Sequence, residues 1–74
     1  MLDFKVRMFE IPMIDEVLLM TTIKFNPTIK KEINAAWAEN NGLAEQGYEH
    51  TFTGDHEDGV CQVMVLQKFI GGTK

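Results

Sequence analysis

The sequence contains no serine and a single cysteine, Cys61, among its 74 residues. The absence of serine excludes a serine nucleophile, and a single cysteine cannot form a disulfide within one chain. A chain without a disulfide framework is typical of a reducing compartment, so we expect a cytosolic protein. No apolar run approaches the ~18 residues that span a membrane, and charged residues interrupt the N-terminal segment where a secretory signal would be apolar. We therefore expect neither a membrane protein nor a secreted one.

Basic residues are missing from the central part of the chain. Between Lys31 and Lys68 the sequence carries acidic residues but no lysine or arginine, and the net charge of the chain is −4. Such a distribution steers a protein towards basic surfaces and away from nucleic acid. We therefore predict no direct nucleic-acid binding and a protein partner with a basic surface, as a phage-type inhibitor of a nucleic-acid-binding protein would have. The predicted partner-binding acids are Glu32, Glu39, Glu45, Glu49, Asp55, Glu57 and Asp58.

The length of the chain predicts one domain, residues 1–74, with a flexible tail at residues 71–74. A domain of this size buries only about 60% of the surface that its unfolded chain exposes. Such small domains often gain stability from a partner subunit.

One segment has the pattern of a helix. Asn26 is a candidate N-cap, and Pro27 fits the first helical position because its missing N–H is not needed there. Apolar residues then recur at helical spacing and predict a stripe that faces the core. These residues are Ile29, Ile33, Ala36 and Trp37.

The end of this helix has two interpretations. It ends near Gly42, or it continues to Gly47, which then takes the left-handed position after the helix while Tyr48 packs back on Leu43 in a Schellman motif. We prefer the longer helix, in which Gly42 is a weak point that costs about 1 kcal/mol relative to alanine.

Alternation of apolar and polar residues predicts strands on both sides of the helix. The segments are residues 2–9, 16–25, 49–53 and 60–70, with a turn at residues 11–15 and a polar loop at residues 54–59. The predicted fold is therefore α+β with β-β-α-β-β order. One helix packs on one face of a mostly antiparallel four-stranded sheet.

A single helix covers only one face of a sheet, so we expect the second face to be uncovered. In the last strand, we expect Cys61, Val63, Val65 and Phe69 to face the core. Apolar residues on the second face predict self-association as a homodimer. The residues predicted for this self-association face are Phe9, Ile11, Leu18, Met20, Met64 and Leu66.

Few residues have a pattern that indicates chemistry. The carboxylates and histidine of residues 55–58 match neither a calcium loop nor a zinc motif, so we expect a solvated hairpin turn. His50 and Cys61 would be diagonal neighbours if Thr53 paired with Val60, but a cysteine on a core face behaves as a small hydrophobe. We therefore predict a non-enzymatic interaction or regulatory protein without a metal or cofactor. The alternative is a ligand- or metal-responsive module that uses the histidine, cysteine and carboxylate side chains of the C-terminal hairpin.

Overall fold

The structure is a computed structural model that describes residues 4–71. Its elements are β1 (Lys5–Pro12), β2 (Glu16–Phe25), α1 (Lys30–Glu45), β3 (Glu49–Asp55) and β4 (Gln62–Gly71). The predicted β-β-α-β-β order is confirmed, and the bounds of β2 are those predicted. The predicted strand start at Leu2 and Asp3 lies outside the described residues, as do residues 72–74 of the predicted tail. Gly71, also assigned to that tail, is the last residue of β4.

The four strands form one antiparallel sheet in the order β1-β2-β4-β3. Pro12 extends β1 into the predicted turn, which is possible because β1 is an edge strand and its last residue need not donate to the ladder. Residues that lie opposite each other in an antiparallel pair share a face of the sheet. One face therefore contains Ile23 and Met64, which are paired, and the other contains Lys24 and Val63.

The helix packs on the face that contains Ile23 and Met64, where it contacts β2, β3 and β4. The core cluster consists of Ile23, Phe25, Ala36, Leu43, Met64 and Leu66. This result corrects the prediction for the last strand, because Met64 and Leu66 are only 1% and 0% exposed while Val63 lies on the opposite face. The strand is apolar on both faces between residues 63 and 66, so alternation alone did not show which set faces the helix.

The helix begins later than predicted. Asn26 Oδ1 accepts hydrogen bonds from the N–H and the hydroxyl of Thr28, at 2.9 and 2.6 Å. The Ile29 N–H donates to the Asn26 carbonyl at 3.0 Å, which closes a β-turn with Pro27 as its second residue. Asn26 is therefore a turn residue, and the N-cap is Ile29, without a side-chain cap. Glu32 reaches back to this turn, where its Oε1 accepts the Asn26 N–H at 2.7 Å.

The helix ends as the longer interpretation predicted. The Gly47 N–H donates to the Ala44 carbonyl and the Tyr48 N–H donates to the Leu43 carbonyl, both at 3.0 Å. Gly47 has a φ of +101°, so these two bonds form a Schellman motif. Tyr48 packs against the core cluster that contains Leu43. Gly42 lies inside the helix.

Trp37 lies on the outer surface of the helix and is 49% exposed, so its assignment to the core was wrong. The buried helix positions are Glu32, Ala36, Asn40 and Leu43. These residues recur every three or four positions, as the face of a helix requires, but two of them are polar. Because Trp37 follows Ala36 by one residue, it points about 100° away from that face.

The molecule is elongated, with dimensions of 45 × 25 × 19 Å and a radius of gyration of 13.5 Å. A compact chain of this length would have a radius of gyration of about 11 Å. The 16 residues of α1 span only about 24 Å, whereas the 10 residues of β2 or β4 span about 33 Å. The helix therefore covers only part of the sheet. Lys68 of β4 lies beside the end of the helix, because its Nζ donates to the Gln46 carbonyl at 2.6 Å. We call the uncovered end of the sheet, with the β1–β2 turn, the distal end, and the end with the β3–β4 loop the proximal end.

Candidate functional site

The face of the sheet opposite the helix, which we call the open face, is not covered by α1. The strand registers place Phe9, Ile11, Leu18, Met20 and Phe69 together there. Phe9, Ile11 and Phe69 are exposed, and Leu18 and Met20 are half-buried. The open face is therefore apolar in its middle and towards its distal end.

Four of the six residues predicted for self-association lie on the open face, and their role in association stays a prediction. Met64 and Leu66 were assigned to this face wrongly, because both lie in the core. Phe69 was assigned to the core, but it lies on the open face opposite Leu18. The signal that could have placed Phe69 correctly is the register of β4 against β2, which the sequence does not state.

The edge strand β3 adds a further aromatic residue to the open face. Its register shifts between His50, which is opposite Leu66, and Phe52, which is opposite Val65. This bulge turns Phe52 onto the open face, where its ring occupies the space that a Cβ at Gly54 would need. A glycine at position 54 therefore lets the aromatic ring lie against the strand.

The same register separates the proposed thiol and imidazole pair. His50 lies opposite Leu66, five residues along the chain from Cys61, which corresponds to roughly 17 Å of strand. His50 Nε2 is instead hydrogen-bonded to Thr53 Oγ1, and Cys61 is buried. The predicted neighbourhood of His50 and Cys61 was therefore wrong.

The proximal end of the open face carries a cluster of cations. Lys5, Arg7 and Lys24 line a depression of about 360 Å³, together with Thr22 and His56. Lys5 lies directly opposite Lys24 in the β1–β2 pair, and like charges in that position repel each other. Within residues 4–71, the ion pairs shorter than 4.0 Å involve neither Lys5 nor Arg7, so this part of the chain gives the cluster a surplus of positive charge.

The distal half of the open face carries carboxylates. Glu16 begins β2 and lies opposite Gly71, and Glu49 begins β3 and lies opposite Gln67. The registers place both side chains on the open face. This face therefore has cations at one end, acids towards the other, and apolar side chains between them.

Asp58 holds the loop between β3 and β4 together. Its Oδ1 accepts hydrogen bonds from the N–H groups of Cys61 and Val60, both at 2.9 Å, and these bonds hold the pKa of Asp58 well below its usual value. Its Oδ2 lies 3.5 Å from His56 Nδ1 and 3.6 Å from Lys24 Nζ. Within the part of the chain that the structure describes, no three His, Cys, Asp or Glu side chains come together as metal ligands would.

The acids predicted to bind a partner do not form one group. Glu32 is 1% exposed and lies on the buried face of the first turn of α1, so it cannot belong to a binding surface as predicted. The others are exposed on three separate parts of the molecule: Glu39 and Glu45 on the helix, Glu49 on the open face, and Asp55, Glu57 and Asp58 at the proximal end. Their role in binding a basic partner stays a prediction.

Comparison of the chain with protein-family models, with curated proteins and with solved structures gives no match. Over the described range, no helix has the length and apolar character needed to cross a membrane.

Proposed function

We propose that this chain is a small, non-enzymatic interaction protein of a reducing compartment that forms a homodimer through the open face of its sheet. The observation that carries the proposal is the uncovered cluster of Phe9, Ile11 and Phe69 on that face. Contiguous exposed apolar groups of this kind usually mark an interface. A partner that packs on the open face would shield its apolar side chains from water, as α1 shields those of the opposite face.

A second copy of the chain fits this face because the face is complementary to itself. A two-fold interface brings each patch against the same patch of the other subunit. With the two sheets stacked in opposite directions, the cationic end formed by Lys5, Arg7 and Lys24 lies over the partner's acidic end, and the apolar centres meet. Strands of 8, 10, 10 and 7 residues that lie about 4.8 Å apart give a face on the order of 550 Å². This area is about two thirds of the roughly 800 Å² that each partner contributes to a standard interface.

The test is a measurement of mass in solution with two matched variants. Phe69 and Trp37 are both aromatic and both 49% exposed, but Phe69 lies on the open face and Trp37 lies on α1, on the other side of the sheet. By sedimentation equilibrium, we expect the wild type to have twice the mass of the 8.4 kDa chain. We expect Phe69→Glu to be monomeric, because it places a charge in the interface, and Trp37→Glu to remain dimeric.

Two results would refute the proposal. One is a wild type that stays monomeric at millimolar concentration. The other is a dimer that Trp37→Glu dissociates and Phe69→Glu does not, since the interface would then lie on the helical side.

The exposed acids of the helix support a second candidate function, the binding of a basic protein. Glu39 and Glu45 are exposed, and the last turn of α1 contains no basic residue. Such a surface would act through long-range attraction, so binding would weaken as the salt concentration rises. Reversing both charges with Glu39→Lys and Glu45→Lys should abolish capture of a basic partner. Capture that survives this double change would exclude the helix surface.

A further inference from the structure

We infer that the cationic depression at the proximal end of the open face receives the Glu16 carboxylate of a second copy, which makes the dimer antiparallel with Met20 close to its two-fold axis. This inference rests on the proposed homodimer and adds to it the direction, the register and the residues that select the partner.

The order of residues along β2 supports this register. The residues of β2 that lie on the open face are Glu16, Leu18, Met20, Thr22 and Lys24. Glu16 and Lys24 each stand four residues from Met20, or about 13 Å along the strand. A two-fold axis through Met20 therefore places Glu16 over the partner's Lys24. A parallel arrangement would place glutamate over glutamate and lysine over lysine.

The surplus charge of the depression indicates an anionic occupant. Lys5 and Lys24 are opposite each other across two strands, where Cα atoms are about 4.5–5.5 Å apart, and Arg7 is the next open-face residue of β1. Among residues 4–71, Lys24 is the one cation of this cluster with an acidic neighbour, Asp58 at 3.6 Å. Within the described residues, the cluster therefore carries a repulsion between cations that one more carboxylate would relieve. Arginine can also bind a carboxylate through two parallel hydrogen bonds.

The dimensions of packed sheets allow this contact. Two sheets that pack face to face lie about 10 Å apart and are aligned to within about 30°. Glutamate and lysine side chains extended towards each other span that gap, and the depression of about 360 Å³ has room for a carboxylate. Phe9 also lines the depression and would keep water from the ion pair, which strengthens the attraction between its charges.

Charge exchange between the two ends of the face tests the inference. Glu16→Lys alone and Lys5→Glu alone should each raise the dimer dissociation constant about tenfold or more, because each places like charges together. The double variant should recover most of this loss. Lys5 is chosen because it has no acidic neighbour in its own chain within the described residues, whereas reversing Lys24 would set it against Asp58. Glu39→Lys makes the same charge change on the helix and should leave the dissociation constant within about twofold.

Dissociation constants would come from sedimentation equilibrium, with circular dichroism showing that each variant is folded. If Phe69→Glu dissociates the dimer but Glu16→Lys does not, the inference is wrong while the proposed dimer stands. A monomeric wild type would remove the proposed dimer itself.

A further experiment uses inorganic phosphate as a small anion that could occupy the cationic depression. If the cluster binds only the partner's carboxylate, phosphate at constant ionic strength should not change the melting temperature. A saturable increase in the wild type that disappears in Lys5→Glu would instead identify a site for small anions and overturn the inference.

Discussion

Two glycines in and beside the helix should respond in opposite ways to the same substitution. Gly42 lies in the interior of α1, and a Cβ added there would meet no atom within 4 Å. Alanine at this position therefore costs no packing and removes the conformational freedom that glycine has in the unfolded chain. Gly47 ends the same helix, but its φ of +101° is a conformation that side chains with a Cβ rarely adopt.

The expected magnitudes follow from these two environments. Gly42→Ala should raise the free energy of unfolding by about 0.8–1.0 kcal/mol, the difference in helix propensity between the two residues. Gly47→Ala should lower it by about 1–2 kcal/mol, the cost of a left-handed conformation. The nearest atom to a new Cβ at Gly47 would be a Lys68 side-chain carbon at 3.4 Å, an ordinary contact. The loss at Gly47 should therefore come from the backbone and not from a clash.

The assay is urea unfolding followed by circular dichroism at one fixed protein concentration, because association would otherwise change the apparent stability. An unchanged m-value would show that each variant alters stability alone. In thermal unfolding, 1 kcal/mol should appear as a shift of about 4–8 °C for a chain of this size. If both alanine variants shifted the midpoint in the same direction, the description of the helix end as a Schellman motif at Gly47 would be refuted.

Three further predictions concern the turn before the helix, the hairpin loop and the edge strand. Replacing Glu32 with alanine leaves the backbone N–H that it accepts without its partner and should cost about 1–3 kcal/mol in urea unfolding, while glutamine, which keeps an acceptor oxygen, should cost less. Because the folded state lowers the pKa of Asp58, its carboxylate stabilises the protein above the ordinary aspartate pKa of about 3.9, and this contribution is lost as the pH falls towards the lowered pKa. Asp58→Asn should therefore lower the melting temperature at neutral pH more than Glu57→Gln in the same loop, and its difference from wild type should shrink below about pH 4; a constant difference would contradict the role given to the charge. In a proton NMR spectrum, the α-protons of Gly54 should be shifted upfield by the ring of Phe52, and the shift should vanish in Phe52→Leu.

Local signals in the sequence predicted two parts of the fold accurately. The ten residues of β2 lie between two clear breaks, Pro12 to Asp15 before the strand and Asn26-Pro27 after it. At the end of the helix, Gly47 followed by an aromatic residue specified a Schellman motif. In both cases neighbouring residues in the chain determine the structure, and no distant contact is needed to choose between alternatives.

Other features depend on contacts that the sequence does not state. The side-chain oxygen of Asn26 can cap a helix or accept a hydrogen bond within a turn. Which of the two it does depends on the backbone conformation of Asn26 to Ile29, which the sequence does not state. The burial of Glu32 followed from that turn, because the Asn26 N–H needed an acceptor. Trp37 was placed by its hydrophobicity, whereas the packed face of the helix is set by where α1 crosses the sheet.

The candidate surface was partly predictable for the same reason. One helix and four strands imply an uncovered face whatever the register, and apolar residues on both sides of β2 indicated that this face is not simply solvated. Its charge pattern was not predictable, because the cationic cluster exists only when Lys5 pairs with Lys24. A shift of β1 by one residue would send Lys5 and Arg7 to the other face.

Two features that cost the single chain free energy lie on the same face. Exposed Phe9 and Phe69 keep apolar surface in contact with water, and the facing Lys5 and Lys24 repel each other. Packing of the core requires neither the exposed aromatic residues nor the facing lysines, because α1 packs on the opposite side and does not contact β1. No other helix or strand of the described chain is free to cover this face, because α1 packs on the opposite side and the four strands form the sheet itself. A second sheet stacked in the opposite direction would bury the aromatic residues and supply the missing carboxylate in one step, and this common solution is the reason to regard both features as parts of one interface.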